Sequence, residues 1–176
     1  TKAHIDGTVS RAANLTILSQ STNDAHGVAV AVAGGILSGA GADADAKVSP
    51  TIAAYLNGAD VKVDQDVILT AVSEANADAN AVGVSGGGIS VGVSLADATI
   101  APDIKTYIGG GTVIAGDEIT LQSRHNASDT GEKTAGKAAN AHATAPGGAL
   151  LGSGTGADAT ANSSASRSGR LGSLCF

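Results

Sequence analysis

The chain has 176 residues, of which 35 are alanine and 25 glycine, while only 36 are Val, Ile or Leu and aromatics make up 2%. That argues against an ordinary globular core, where each buried Val, Leu, Ile or Phe contributes about 1.5–3 kcal/mol; at 15% charged, with alternating Val/Ile segments, it also argues against disorder. A net charge of −6 speaks against a nucleic-acid partner, which requires a basic stripe.

The first unit, 1–50, opens in mid-repeat at Thr1, as expected of a piece of something longer. Its clearest element is Val28-Ala-Val-Ala-Val32, whose period-two alternation means a strand with valines on one face and alanines on the other. The Gly34-Gly35 pair punctuates it, and Gly41-Ala-Asp-Ala-Asp-Ala46 follows before Pro50.

The second unit, 51–102, says nearly the same thing 52 residues later. Asn14, Asp66 and Glu118 fall in register, as do Val9, Val61 and Val113, Gly58 and Gly110, Pro50 and Pro102, and Asp45 and Asp97. From Ala71 to Ala81 every odd position is Ala or Ser, which sets a flat small-residue strip against a polar one. Gly86-Gly87-Gly88 then marks a coil corner before the alternating segment Ile89–Leu95. A fixed period of this kind signals a solenoid, in which each unit buries its face against its neighbours.

The pattern predicts an all-β, repetitive β-solenoid with a 52-residue repeat. A right-handed parallel β-helix is favoured over an antiparallel stack of long hairpins. A fainter echo at an offset of 28, between Ala54–Val63 and Val82–Val91, suggests that each unit is two coils of 24–28 residues. Layers meeting through Ala and Gly faces would approach closer than the usual ~10 Å. Val61, Val63, Val67, Leu69, Ile89, Val91 and Val93 are expected to point inward.

The third unit, 103–162, carries an insertion near 128–137. Matching Ala157–Thr160 to Ala96–Thr99 gives a step of 61, nine more than the repeat. Residues 163–176 read as a divergent cap, linker or tail, with Arg167, Arg170 and the single cysteine, Cys175, which has no internal disulfide partner.

Chemistry is hard to find. His4 occupies the place of Tyr55 and Tyr107 and reads as a coil-face residue; His125 aligns with Ser21 and Ser73 and reads as a surface variant; His26 and His142 lie at unrelated phases. No HExxH or GxSxG motif appears, and the paired carboxylates and aromatic platforms of polysaccharide-processing β-helices are missing. The chain is therefore expected not to be an enzyme, and no catalytic, cofactor-binding or metal residue is assigned. Calcium is the one cofactor considered, because Gly41–Ala46 and Glu74–Asn80 place acids and amides two apart on one strand face. The calcium nonapeptide GGxGxDxUx is missing, and alternating acids more often form a solvated face that blocks edge aggregation.

The stretch IAAYLNGADVKVDQDVILTAVSEANADANAVGVSGGGISVGVSLADATIAP at 52–102 resembles repeats of giant bacterial β-solenoid filamentous adhesins, the leukotoxin-type filamentous adhesin family. The similarity covers about residues 3–160. It implies export across the bacterial envelope, an extracellular or cell-surface location, a stiff stalk or filament with adhesion or matrix roles, and no catalytic residues. A ligand- or calcium-binding surface module of a secreted repeat protein is the alternative. The expected partners are further repeats of the same chain or other copies end to end, the edge near His4–Val9 stacking on the edge near Thr155–Ala161, without nucleic acid or membrane insertion.

Overall fold

A computed structural model describes residues 1–170 as strands and tight connections, with no helix among them. In chain order the strands are β1 (Lys2–Ile5), β2 (Thr8–Ala12), β3 (Leu15–Val48), β4 (Thr51–Asn57), β5 (Asp60–Val63), β6 (Val67–Ile100), β7 (Asp103–Gly109), β8 (Val113–Ile114), β9 (Ile119–His125), β10 (Ala139–Thr144), β11 (Gly147–Ser163) and β12 (Ser166–Arg170). Every pairing between them is parallel. Strand β3 runs beside β6 from Leu15↔Val67 to Val48↔Ile100, and β4 beside β7 from Thr51↔Asp103, each at the 52-residue step. The fold is a parallel β-solenoid, and one 52-residue unit is one coil. The 28-residue echo therefore marks two legs of a coil rather than two coils, and the antiparallel hairpin stack does not occur.

Each coil has two parts. Strands β4, β5 and the start of β6 belong to three different sheets. They enclose a core of Ile52, Ala54, Leu56, Val61, Val63, Val67 and Leu69, joined by Ile104, Ile108 and Val113 of the next coil. This part is a three-sided prism. Beyond it β6 runs outward, turns at Gly86–Gly88, and returns, making a flat two-layered blade about 40 Å long at ~3.3 Å per residue. The layers meet through Ala75, Ala77, Ala79 and Ala81 on the outbound leg and Ala96, Ala98 and Ile100 on the return leg. Closeness is the point: a Cβ on Gly83 would lie 2.8 Å from Ser94 Oγ, and one on Gly27 2.5 Å from the Asp45 carbonyl oxygen. Along most of its length only Gly, Ala and Ser fit such a gap, with Val48 and Ile100 at the end of the return leg.

The blade inverts one expectation. Ile89, Val91 and Val93 are 48%, 51% and 44% exposed, while Ser90 and Ser94 on the alternate positions are fully buried. Val28, Val30 and Val32 likewise point outward. The alternation was read correctly, but hydrophobicity chose the wrong face, because thin layers admit small side chains whatever their polarity. Val61, Val63, Val67 and Leu69, which belong to the prism, are buried as expected. Inside the blade some serines bond across both layers and coils: Ser38 Oγ donates to the Gly86 carbonyl (3.0 Å) and Ser94 Oγ to the Thr144 carbonyl (2.8 Å), while the hydroxyls of Ser73 and Ser85 are buried without a partner.

The turn at the blade tip is glycine for steric reasons. A Cβ on Gly87 would sit 1.8 Å from the Gly35 carbonyl oxygen, and one on Gly88 2.8 Å from that of Ile36, both in the adjacent coil. At the corner between the first two prism faces, Gly58 and Gly110 stack at φ 66° and 77°, the left-handed region that favours glycine.

The third coil departs from the repeat further than expected. His125 still pairs with Ser73 at a step of 52, but Ala139 pairs with Ala77 at 62, so ten residues are inserted between them. A bulge between Ala149 and Gly152 moves the step to 63. Asp158 therefore pairs with Leu95, not Asp97, and the 61-residue step is two short. An even slip keeps every side chain on its face, which is why the ADAT match looked sound. Ser163 closes β11, and Ser166–Arg170 forms β12 beside β7, so this part of the divergent stretch continues the coil. Cys175 lies outside the described residues.

Candidate functional site

Two ladders run along the corners. The Asp66 amide donates to Asn14 Oδ1 (3.0 Å) and the Glu118 amide to Asp66 Oδ1 (3.2 Å). Asn14 and Asp66 thus each hand one side-chain oxygen to the next coil, beside backbone bonds such as Val67 N to the Glu118 carbonyl (2.8 Å). Asp60 Oδ1 does the same for the Thr112 amide (3.0 Å). On the first face His4, Tyr55 and Tyr107 stack, with centroids 4.9 and 4.8 Å apart and planes 7° and 4° from parallel. His4 is a coil-face residue as read, and its Nε2 also lies 3.3 Å from Asp6.

Of the acids considered for calcium, Asp78 is the one with side-chain partners, and Asp24 nearby is also paired. Asp78 accepts from Asn140 Nδ2 (2.8 Å) and Asn76, while Asp24 pairs with Lys137 Nζ at 3.2 Å. Asp45 and Asp97 are neighbours in adjacent coils, on the exposed outer face of the return layer. Among the described residues, no three His, Cys, Asp or Glu side chains converge on a common point.

The largest surfaces with unused bonding capacity are the ends of the stack. At one end lies the outer edge of β1, β2 and the 34-residue β3; at the other lie β8, β9, β10, β11 and β12. Parallel pairing uses backbone groups on one side of such a strand and leaves the rest facing out.

The second feature is the insertion expected near 128–137. Asn126 turns the chain out of β9 at φ 46°, and its side chain takes over the lost ladder. Its Oδ1 accepts from the Ala75 amide (2.8 Å), and its Nδ2 donates to the Ala75 carbonyl (3.0 Å). The loop closes on itself through Thr134 N to the Asn126 carbonyl (2.8 Å), Ser128 N to the Glu132 carbonyl (2.8 Å), and an antiparallel bridge between Ala127 and Lys133. Beside it opens a cleft of about 470 Å³.

His125 borders this cleft, and it is not the surface variant expected. It takes the inward position of Ser73, which is fully buried, and both its ring nitrogens are sealed from solvent without a hydrogen-bond partner. Burial holds its pKa below the usual histidine value; the Ser73 carbonyl opposes this and the nearby Arg167 charge adds to it. A position read from two serines carried no signal of this environment.

Comparison with protein-family models, with curated proteins and with solved structures found no match in any of the three.

Proposed function

We propose that this chain is a non-catalytic structural segment of an extracellular bacterial adhesin or filament, a stiff stalk built by stacking coils. One observation carries the reading: the parallel backbone ladder runs in register through successive coils. Stability in such a stack is a sum of neighbour contacts, so length is added without a new core, at about 4.8 Å per coil.

For stacking in register, a different pair of edges from His4–Val9 on Thr155–Ala161 would meet. Thr155–Ala161 continues the column of Gly92–Ala98 and Ala40–Ala46, so its match on another copy is the Ala40–Ala46 part of β3. The match of β1 is β12, where Arg170 continues the column of Tyr107, Tyr55 and His4. A head-to-tail contact of this kind does not close and builds a filament. Negative-stain microscopy of the native material tests the reading: rods or fibres are expected, and discrete compact particles would count against it.

A further inference from the structure

The insertion cleft has the chemistry of a binding site, independently of whether the coils form a stalk. It interrupts an otherwise regular ladder, and insertions in solenoids gather on binding faces. Its lining includes His125, Asn126, Lys133, Lys137, Ser163 and Arg167, and no Asp or Glu. In a chain with 16 acids against 10 Lys and Arg, three of those ten cations line this one cleft, although Asp24 pairs with Lys137 and Lys133 also borders a neighbouring cleft holding Glu74, Asp129 and Glu132. Lys137 is held by Asp24 (3.2 Å), whereas Lys133 and Arg167 make no ion pair among the described residues. The half-buried His125 ring borders the cleft, its nitrogens sealed from solvent.

We propose that this cleft binds an oxyanion, a phosphate, sulfate or carboxylate group, with Arg167 and Lys133 meeting its charge, Ser163 supplying a hydrogen bond, and the His125 ring in the wall beside it. The guanidinium presents a planar fork that matches two oxygens of such a group, and a charge-assisted pair of that kind is about twice as strong as a neutral one. The Asn126 amide is committed to the backbone of Ala75 and positions the loop rather than the ligand. At about 470 Å³ the cleft has room for more than a bare anion. It therefore accepts either a free ion or an anionic group carried on a sugar.

The test is a titration of the full chain, with histidine rings isotopically labelled, using sodium phosphate against sodium chloride at equal ionic strength. Phosphate is expected to shift the His125 ring saturably and leave the exposed His26 ring in place. Arg167→Gln and Lys133→Gln should each weaken binding about tenfold, while Arg11→Gln, outside the cleft, should not. Repeating the titration with a sulfated monosaccharide distinguishes the sources: tighter binding than phosphate assigns a glycan-borne group, equal binding a free ion. Shifts at His125 no larger than those given by chloride would overturn the proposal. So would equal weakening by Arg167→Gln and Arg11→Gln.

Discussion

In the prism, Ile52, Leu56, Val67 and Leu69 fill the space between three sheets; in the blade, Ala77, Ala79, Ala96 and Ala98 close a gap between two. The same parallel ladder serves both. In the prism stability comes from apolar volume, so large residues face inward and polar ones outward. In the blade it comes from backbone pairing and close contact of thin layers, so the large residues are left outside and serines are acceptable within. The difference teaches that in a chain poor in bulky side chains, size rather than polarity can decide which face of a strand is buried.

Truncation separates the two regions most strongly. Leu69→Ala, in the prism, should cost about 2–5 kcal/mol, whereas Val93→Ala, on the outer face of the blade, should stay within about 0.5 kcal/mol. Thermal or denaturant unfolding of the pair would break the comparison if the two losses were alike. Enlargement should do the reverse in the blade. Gly87→Val drives a side chain into the Gly35 carbonyl and should cost about 1–3 kcal/mol or more, while Asp78→Ala edits a half-exposed polar face. Equal melting shifts for these two would count against the close-packed tip.

A smaller effect belongs to the corners. Asp66→Ala removes the acceptor of the Glu118 amide and should cost about 0.5–1.5 kcal/mol; no change would mean that the ladder contributes only order. The smallest is a pH effect at His125. Its folded-state pKa lies below 6.5, so as pH falls the unfolded chain takes up the proton first. Stability should be full above about pH 6.5 and decline below it until the folded ring also protonates. His125→Ser should flatten that part of the pH–stability profile, and an unchanged profile would place the ring in solvent.

Much of this architecture was legible in the sequence. The 52-residue step of Asn14, Asp66 and Glu118 is the coil itself, and the odd-numbered small residues from Ala71 to Ala81 are one wall of the blade. The inward face of Ile89–Leu95 was not legible, because alternation fixes two faces without saying how far apart the layers lie. The third-coil register was missed because a repeated Ala-Asp-Ala-Thr string outweighed a bulge that leaves no composition signal. Neither the partnerless ring of His125 nor the cation-lined cleft could be read, since both depend on where an inserted loop settles against β12.

The central claim is that small residues line the inside of the blade and aliphatic ones its outside. Thiol labelling tests it directly, with S90C and V91C compared in a C175S background under native conditions. The account predicts that the position 91 thiol reacts at close to the rate of an unfolded control while the position 90 thiol is strongly protected. Protection at 91 with free reaction at 90 would contradict it.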